Sequence, residues 1–377
     1  MDALMLPLNW QRVRLGTYKY RRGSFPQPYG NPQWYSDNGM PFVQVYDVGE
    51  NFKLTQKTKQ KISKIAQPMS VFVPKNSVII TLQGTIGRVA LTQYDCYCDR
   101  TILIFDNNTL NDVNKYFFVL SLFTKFEEEK RKADGSIIKT ITKQTLKDFE
   151  ILLPPLNEQI AIANILSALD RYLYNLRALI LKKEDVKKAL SFELLSQRKR
   201  LKGFNQAWQR VRLGDILTLK HGRDYKNFKL GNIPVYGSGG YMLSINNFLH
   251  NGESVCIGRK GTIDKPIYLN GKFWVVDTLF YSYSFKKSIP KFIFYAFSII
   301  KWSNYNEATG VPSLTKMTIS NIEIPLPPLN EQIAIANILS ALDKEITSLK
   351  NKKRQFENIK KALNHDLMSA KIRVLKK

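Results

Sequence analysis

Two stretches of this chain carry apolar residues at the spacing of a long helix. In the first, Ile162, Leu166, Leu169, Leu173, Leu176, Ile180, Leu190 and Leu194 alternate steps of four and three, interrupted by Lys183 and Lys187. The second runs Ile335, Leu339, Leu342, Ile346, Leu349, Phe356, Leu363 and Leu367, interrupted by Lys353 and Lys360. Such heptads predict a helix–helix seam, and about 40 residues of helix span on the order of 60 Å. A helix packed on its own domain has no use for so long a stripe, so the two stripes are expected to bury each other. Leu166, Leu169, Leu173 and Leu176 would then face a partner helix carrying Leu339, Leu342, Ile346 and Leu349.

Both helices open with the same eighteen residues, LPPLNEQIAIANILSALD, at Leu153–Asp170 and again at Leu326–Asp343. Identity over that length marks an internal duplication. The Pro pair forces an extended approach, Asn157 and Asn330 stand at the expected N-caps, and Glu158/Gln159 and Glu331/Gln332 fall in the first turn. A second duplicated string, WQRVRLG, begins at Trp10 and at Trp208. The repeated unit is therefore a globular domain followed by its long helix. Boundaries are expected at residues 1–155 and 203–328 for the domains and 156–202 and 329–377 for the helices. The first helix ends at the second domain, so the second can meet it only by running back along it. That predicts an antiparallel coiled coil between two domains, with a pseudo-two-fold axis.

Within the domains the period shortens to that of strands. Asn76–Thr81 followed by Gly84, Thr85, Ile86 and Gly87 aligns with Glu253–Ile257 followed by Gly261, Thr262, Ile263 and Asp264. Strand-like runs follow at Asp99–Phe105 and Trp274–Tyr283. A helix opening at Asn111 or Asp112 carries Tyr116, Phe117, Leu120, Phe123 and Phe126; its counterpart opens at Pro290 and carries Phe292, Tyr295, Ile299 and Trp302. Polar loops at Ala133–Ser136 and Ala308–Ser313 precede Thr142-Lys143 and Thr315-Lys316, which should lead into a last strand. This is an α+β pattern.

Charge narrows the function. Lys plus Arg number 57 against 31 Asp plus Glu, a net charge of +26, which points to a polyanion and most simply to nucleic acid. Three cysteines, Cys96, Cys98 and Cys256, are too few for a disulfide framework and lack a second ligand pair for zinc, which fits the cytoplasm. The opening MDALMLPLNW does not have the form of a signal peptide, and no apolar run is long enough for a membrane span.

Catalytic signatures are missing. There is no phosphate loop, no dinucleotide-binding glycine pattern and no Asn-Pro-Pro-aromatic methyltransferase motif; Asn31-Pro32-Gln33-Trp34 departs at its third letter. His221, His250 and His365 are scattered. Candidate nucleic-acid contacts are plentiful by comparison. In the second domain they are His221, Arg223, Tyr225 and Lys226, then Tyr236 and Ser238 of the IPVYGSGGYM stretch, then Arg259, Lys260, Thr315 and Lys316. In the first domain they are Tyr20, Arg21, Arg22, Gln83, Gly84, Thr85, Arg88 and Lys139. Glycine lets backbone N–H groups approach phosphates, while Arg and Lys supply charge or read guanine edges.

The layout of domain, LPPLNEQ helix, domain, LPPLNEQ helix resembles the specificity subunit of type I restriction–modification systems. IPVYGSGGYM, GRKGTIDKPIY with VVDTLFY, and ATGVPSLTKMTISNIEIPLPPLNEQ are similar to that family's recognition-domain motifs. The resemblance implies a non-catalytic subunit of a bacterial defence system. Each target-recognition domain would read one half of a split sequence in double-stranded DNA, and the coiled coil would fix the unread gap. Implied partners are two DNA-methyltransferase subunits, which use S-adenosylmethionine, and restriction subunits, which hydrolyse ATP with Mg2+. No cofactor is then expected on this chain itself. DNA methylation would fall on adenine N6, with the base flipped by the partner. The identical blocks also look like seams at which recognition domains could be exchanged by recombination. Two other readings remain: a DNA-binding coiled-coil scaffold outside restriction, and a methyltransferase or nuclease in its own right.

Overall fold

The computed structural model describes residues 9–49, 51–83, 86–132 and 143–375. The chain divides into two compact units, Met1–Asn175 with Lys353–Lys377, and Leu176–Lys352. The opening residues, Gly84, Thr85, Lys139, the Ala133–Ser136 loop and Thr142 lie outside the described residues.

In the first unit the strands are β1 (Gln11–Arg14), β2 (Tyr20–Arg22), β3 (Tyr35–Val43), β4 (Gln60–Ile62), β5 (Val71–Val73), β6 (Val78–Thr81), β7 (Val89–Leu91), β8 (Cys96–Cys98) and β9 (Ile102–Phe105). Helices α1 (Lys115–Lys132) and α2 (Lys143–Asp148) follow, then β10 (Glu150–Leu153) and the long α3 (Leu156–Leu195), whose residues from Leu176 onward belong to the second unit. Four strands form a sheet in the order β2-β9-β6-β7, four more in the order β4-β3-β8-β5, and β1 pairs with β10. The sheets are antiparallel except where β3 runs parallel to β8.

The second unit repeats this plan. It comprises β11 (Gln209–Arg212), α4 (Leu213–Ile216), β12 (Thr218–His221), β13 (Leu230–Gly237), β14 (Gly240–Ile245), β15 (His250–Asn251), β16 (Ser254–Gly258), β17 (Ile267–Leu269), β18 (Lys272–Val275) and β19 (Leu279–Tyr283). Then come α5 (Pro290–Ile299), α6 (Lys316–Asn321), β20 (Glu323–Leu326) and the long α7 (Leu329–Met368), whose residues from Lys353 onward belong to the first unit. The sheet orders are β12-β19-β16-β17 and β14-β13-β18-β15, with β11 paired to β20 and β13 parallel to β18. Duplication is thus preserved in topology where the letters have diverged.

Unbroken apolar runs on the central strands have a simple cause. On β6, Val78 and Ile80 point into a core built with Phe117, Phe118 and Leu122 of α1, while Ile79 joins Val43, Cys96 and Cys98 of the other sheet. Val255 and Ile257 of β16 likewise meet Phe292 and Phe297 of α5, and Cys256 faces Phe273 and Val275. A strand covered on both faces needs apolar residues at every position. The cysteines are ordinary core residues, all free and buried; burial raises the Cys98 pKa and pushes that of Cys256 up to about 12.

The helices pair as predicted, and the pairing is seen inside each unit. In the first, Glu158 of α3 meets Arg373 just past α7, Asp170 binds Lys360, and the Tyr172 ring packs at a tilt against Phe356, centroids 4.7 Å apart. In the second, Lys183 reaches Glu345 at 2.9 Å, Lys187 binds Asp343, and Arg200 just past α3 meets Glu331 at 2.7 Å. Residue numbers rise on one helix as they fall on the other, so the pair is antiparallel. Leu166 and Leu339 are fully buried and Leu176 and Ile346 nearly so, while Leu169, Leu173, Leu342 and Leu349 are half-buried. Two interruptions of the seam acquire a purpose: Lys187 and Lys360 reach the aspartates that close the duplicated block, and lie over Tyr295 at 5.7 Å and Phe52 at 5.3 Å.

The duplicated block is a polar lock. Glu158 is buried, accepts from Trp10 Nε1 at 3.2 Å and pairs with Arg373 through Nε at 2.6 Å and Nη2 at 2.9 Å. Glu331 repeats this with Trp208 at 2.9 Å and Arg200 at 3.2 and 2.7 Å. Gln159 accepts from the Asn114 amide and donates to the Pro154 carbonyl; Gln332 accepts from Ile289 and donates to Pro327. Tyr116 and Tyr295 donate to Asp170 and Asp343, and burial first, then these carboxylates, raises both phenol pKa values. Each of these buried glutamate and glutamine side chains therefore has a partner, as burial requires.

Three local expectations are corrected. Asn157 and Asn330 are the second residues of α3 and α7, not N-caps, because the Pro155 and Pro328 carbonyls already accept from the amides of Glu158/Gln159 and Glu331/Gln332. Helix α1 begins at Lys115, since Asn114 Oδ1 accepts from the Phe117 amide at 3.0 Å and caps it there. The segments after Thr142 and Thr315 form the short helices α2 and α6 before the last strand begins.

Candidate nucleic-acid interface

In the second unit the predicted residues converge on the turn between β18 and β19. Asp277 and Thr278 of that turn, Asp224, Tyr225 and Lys226, and the Gly237–Met242 hairpin line an open cleft of 830 Å³. Thr278 organises it. Its Oγ1 accepts from the Ser238 amide at 3.3 Å, and its carbonyl accepts from the amides of Arg259 at 2.8 Å and Lys260 at 3.3 Å. The Arg259 guanidinium donates to the Asp277 carbonyl at 3.1 Å. Asp224 Oδ1 accepts from the Tyr225 and Lys226 amides and folds that loop over the cleft. Tyr236 packs edge-on against Tyr241, which is 62 % exposed. Gly261 must remain glycine: its φ is +85°, and an added Cβ would stand 3.2 Å from Ser238 Oγ. Ser238, Tyr225, Lys226, Arg259 and Lys260 thus gather around one turn.

Matching hydrogen bonds locate the equivalent place in the first unit. The Asp99 amide donates to Val43 O as Val276 does to Tyr236 O, Ile102 donates to Asp99 O as Leu279 does to Val276 O, and Leu82 donates to Thr101 O as Arg259 does to Thr278 O. Thr101 therefore corresponds to Thr278, and Arg100 to Asp277. This turn lines a cleft of 220 Å³ with Tyr29, Gln44, Val45 and Tyr46. The Arg100 guanidinium lies over the Tyr29 ring at 5.2 Å, and the Tyr29 hydroxyl donates to Asp99. Tyr46 is 44 % exposed, bonds Gln44 and carries Lys59 over its ring at 5.1 Å.

None of these first-unit cleft residues is among the candidates chosen from sequence. A usable signal was present: Gly84 and Gly261 lie 177 positions apart, and the same offset brings Thr101 onto Thr278 and Arg100 onto Asp277. The sequence candidates of this unit fall elsewhere. Tyr20, Arg21 and Arg22 form β2, and Arg21 donates to the Phe72 carbonyl at 3.1 Å. Arg88 donates to the Val48 carbonyl at 3.1 Å. Gln83 is exposed at the position matching Lys260.

The remaining candidates divide similarly. His221, the last residue of β12, and Arg223 just beyond it are exposed. The Thr315 hydroxyl caps α6, accepting from the Thr318 amide at 3.2 Å and donating to Glu307 at 3.0 Å, which gives it a structural task; Lys316 is exposed next to it. His250 packs against Phe273 and Tyr281, and burial lowers its pKa. Among the described residues no group of side chains could hold a metal ion, and no helix is long and apolar enough to cross a membrane.

A family model described as type I restriction modification DNA specificity domain matches the chain twice, over residues 28–184 and 205–358. The chain belongs to this family. The type I restriction enzyme MjaVIII specificity subunit of Methanocaldococcus jannaschii is 23 % identical, the match spanning 99 % of this chain and 95 % of that protein. The EcoprrI specificity subunit of Escherichia coli is 22 % identical over 86 % of this chain and 85 % of that protein. In fold the chain is similar to the S subunit of a type I system from M. genitalium, with a TM-score of 0.68 at 19 % identity over 97 % of this chain and 98 % of that one. A chain from a structure concerning assembly and conformational transition of the type I system gives 0.60 at 18 % identity, covering 97 % and 99 %. This chain is thus a type I specificity-family protein with two DNA-recognition domains, and each of the two family matches includes one of the clefts just described.

Proposed function

We propose that this protein is the non-catalytic subunit that gives a type I restriction–modification complex its DNA sequence specificity. Each unit reads one half of a bipartite duplex target, and the 40-residue helices α3 and α7 set the length of the unread gap. One observation carries this reading: the same framework holds two clefts with unlike linings, Tyr225, Lys226, Ser238 and Asp277 in one and Gln44, Tyr46 and Arg100 in the other. A shared frame with different readers suits a target whose halves differ. The net charge of +26 supplies phosphate affinity.

The duplicated helix starts support docking of two copies of one partner, the methyltransferase subunit. Leu156, Ile160 and Ile165 are exposed on α3, and the identical Leu329, Ile333 and Ile338 are exposed on α7. These faces carry no charge in a strongly basic chain, which disfavours phosphate and favours protein. S-adenosylmethionine would then belong to the methyltransferase subunits, and ATP and Mg2+ to the restriction subunits, all acting on double-stranded DNA in the cytoplasm.

The test is a genome-wide map of adenine methylation with this gene present and deleted, in cells that express the methyltransferase partner. The expected result is a split motif, two short specific halves around an unread gap, that disappears on deletion. An unchanged methylation map overturns the proposal.

A further inference from the structure

We propose that one turn residue in each unit decides a base pair of its half-site: Arg100 selects guanine in one half, and Asp277 selects cytosine in the other. The inference rests on the DNA-specificity reading and names its determinants. The two residues occupy the same place by three independent backbone hydrogen bonds, and by strand register, since Val43 opposes Cys98 as Tyr236 opposes Val275. The following threonine, Thr101 or Thr278, is retained and holds the turn. Between the two units, then, the frame of the turn is constant and the charge of its exposed residue is inverted.

Each side chain suits direct readout. Arg100 is exposed at the lip of its cleft and stacked on Tyr29, whose hydroxyl is tied to Asp99. That stacking orients the planar guanidinium before DNA arrives, and a planar donor fork matches the O6 and N7 acceptors of guanine. Asp277 is also exposed, and its backbone carbonyl is anchored by Arg259 at 3.1 Å. A carboxylate beside DNA is repelled by phosphates and by the acceptor edges of guanine and thymine. It is accommodated where an amino group donates to it with no acceptor on the same base edge, as at cytosine N4, whereas adenine sets its N7 acceptor beside its N6 amino group. Arg100 therefore selects by attraction, while Asp277 also excludes the wrong bases. Both half-sites should contain a G·C pair at the position facing this turn, contacted through opposite bases.

Methylated sites are mapped in cells expressing the methyltransferase partner with the wild-type chain, Arg100→Ala or Asp277→Asn. The expected result is a wild-type motif with a G·C pair in each half. Arg100→Ala should relax that pair in one half only, and Asp277→Asn should relax it in the other half only. The preference for the correct pair should fall by roughly 5- to 150-fold, the worth of one good side-chain–base contact. If a variant abolishes methylation, the purified complex is titrated with duplexes carrying each of the four base pairs at that position. Loss of discrimination there supports the assignment, and uniform weakening on all four overturns it. A duplex with 7-deazaguanine, which lacks the N7 acceptor, should weaken binding by the wild-type complex and leave Arg100→Ala unaffected. An unchanged motif in both variants, or relaxation in the same half, also overturns the assignment. A wild-type chain that directs no split motif sinks the specificity reading itself, a separate result.

Discussion

Glu158 and Glu331 are carboxylates buried at the starts of their helices, each held by a tryptophan N–H and an arginine fork. Removing the carboxylate strands the arginine and the indole donor, so Glu331→Ala should cost about 3–5 kcal/mol in chemical denaturation. A double-mutant cycle with Trp208→Phe should return a coupling energy clearly above zero; simple additivity would refute the lock. The thiols make a second residue-scale case. Cys256 is buried and its pKa is pushed up to about 12, so native protein at pH 8 should resist thiol reagents that label it once unfolded. Since the unfolded thiol loses its proton more readily, this group's contribution to stability is complete below the ordinary cysteine pKa and declines as pH rises through the alkaline range. A denaturation midpoint that does not fall between pH 8 and 10.5 would contradict that sign.

Among elements, the long helices show two faces with different tasks. Leu166 and Leu339 are fully buried, and replacing either with Asp places an uncompensated charge in the core, a loss of several kcal/mol that should abolish cooperative folding. Ile160 and Ile333 are 42 % and 45 % exposed, so Ile160→Glu with Ile333→Glu should leave the melting temperature within a few degrees of wild type. Co-purification of the methyltransferase subunit should nevertheless be lost, and its retention would remove the docking proposal. The seam was legible in the sequence because a helix repeats its faces at a constant interval. The N-caps were not, because a proline carbonyl two residues upstream supplied the bond that the asparagine side chain was expected to make.

For the whole molecule the governing quantities are charge and helix length. Binding by a +26 chain that neutralises several phosphates should weaken steeply between roughly 50 and 200 mM salt, read as the slope of log affinity against log salt. A flat slope would mean that the charge serves something other than DNA. Deleting seven residues from α3 and the paired seven from α7 shortens each helix by about 10 Å. The methylated motif should keep both halves and change only its gap, and an unchanged gap would rule out the helices as the spacer.

The sequence by itself determined the duplication, the two 40-residue helices, their antiparallel pairing, the α+β class and the basic character. Those features rest on period, identity and charge, which are properties of letters in order. It also brought the second cleft within reach, because the Gly-Ser-Gly-Gly hairpin and the Arg-Lys-Gly turn have recognisable chemistry. Only the tertiary structure decided that Arg100 with Tyr46 and Gln44 forms the matching cleft of the first unit, and that Arg21, Arg88 and Thr315 bond to neighbouring groups of the fold. The reason is physical. The cleft is set by backbone hydrogen bonds joining residues far apart in the chain, such as Asp99 to Val43 and Leu82 to Thr101, and a side chain's freedom to meet DNA depends on which carbonyls happen to lie beside it.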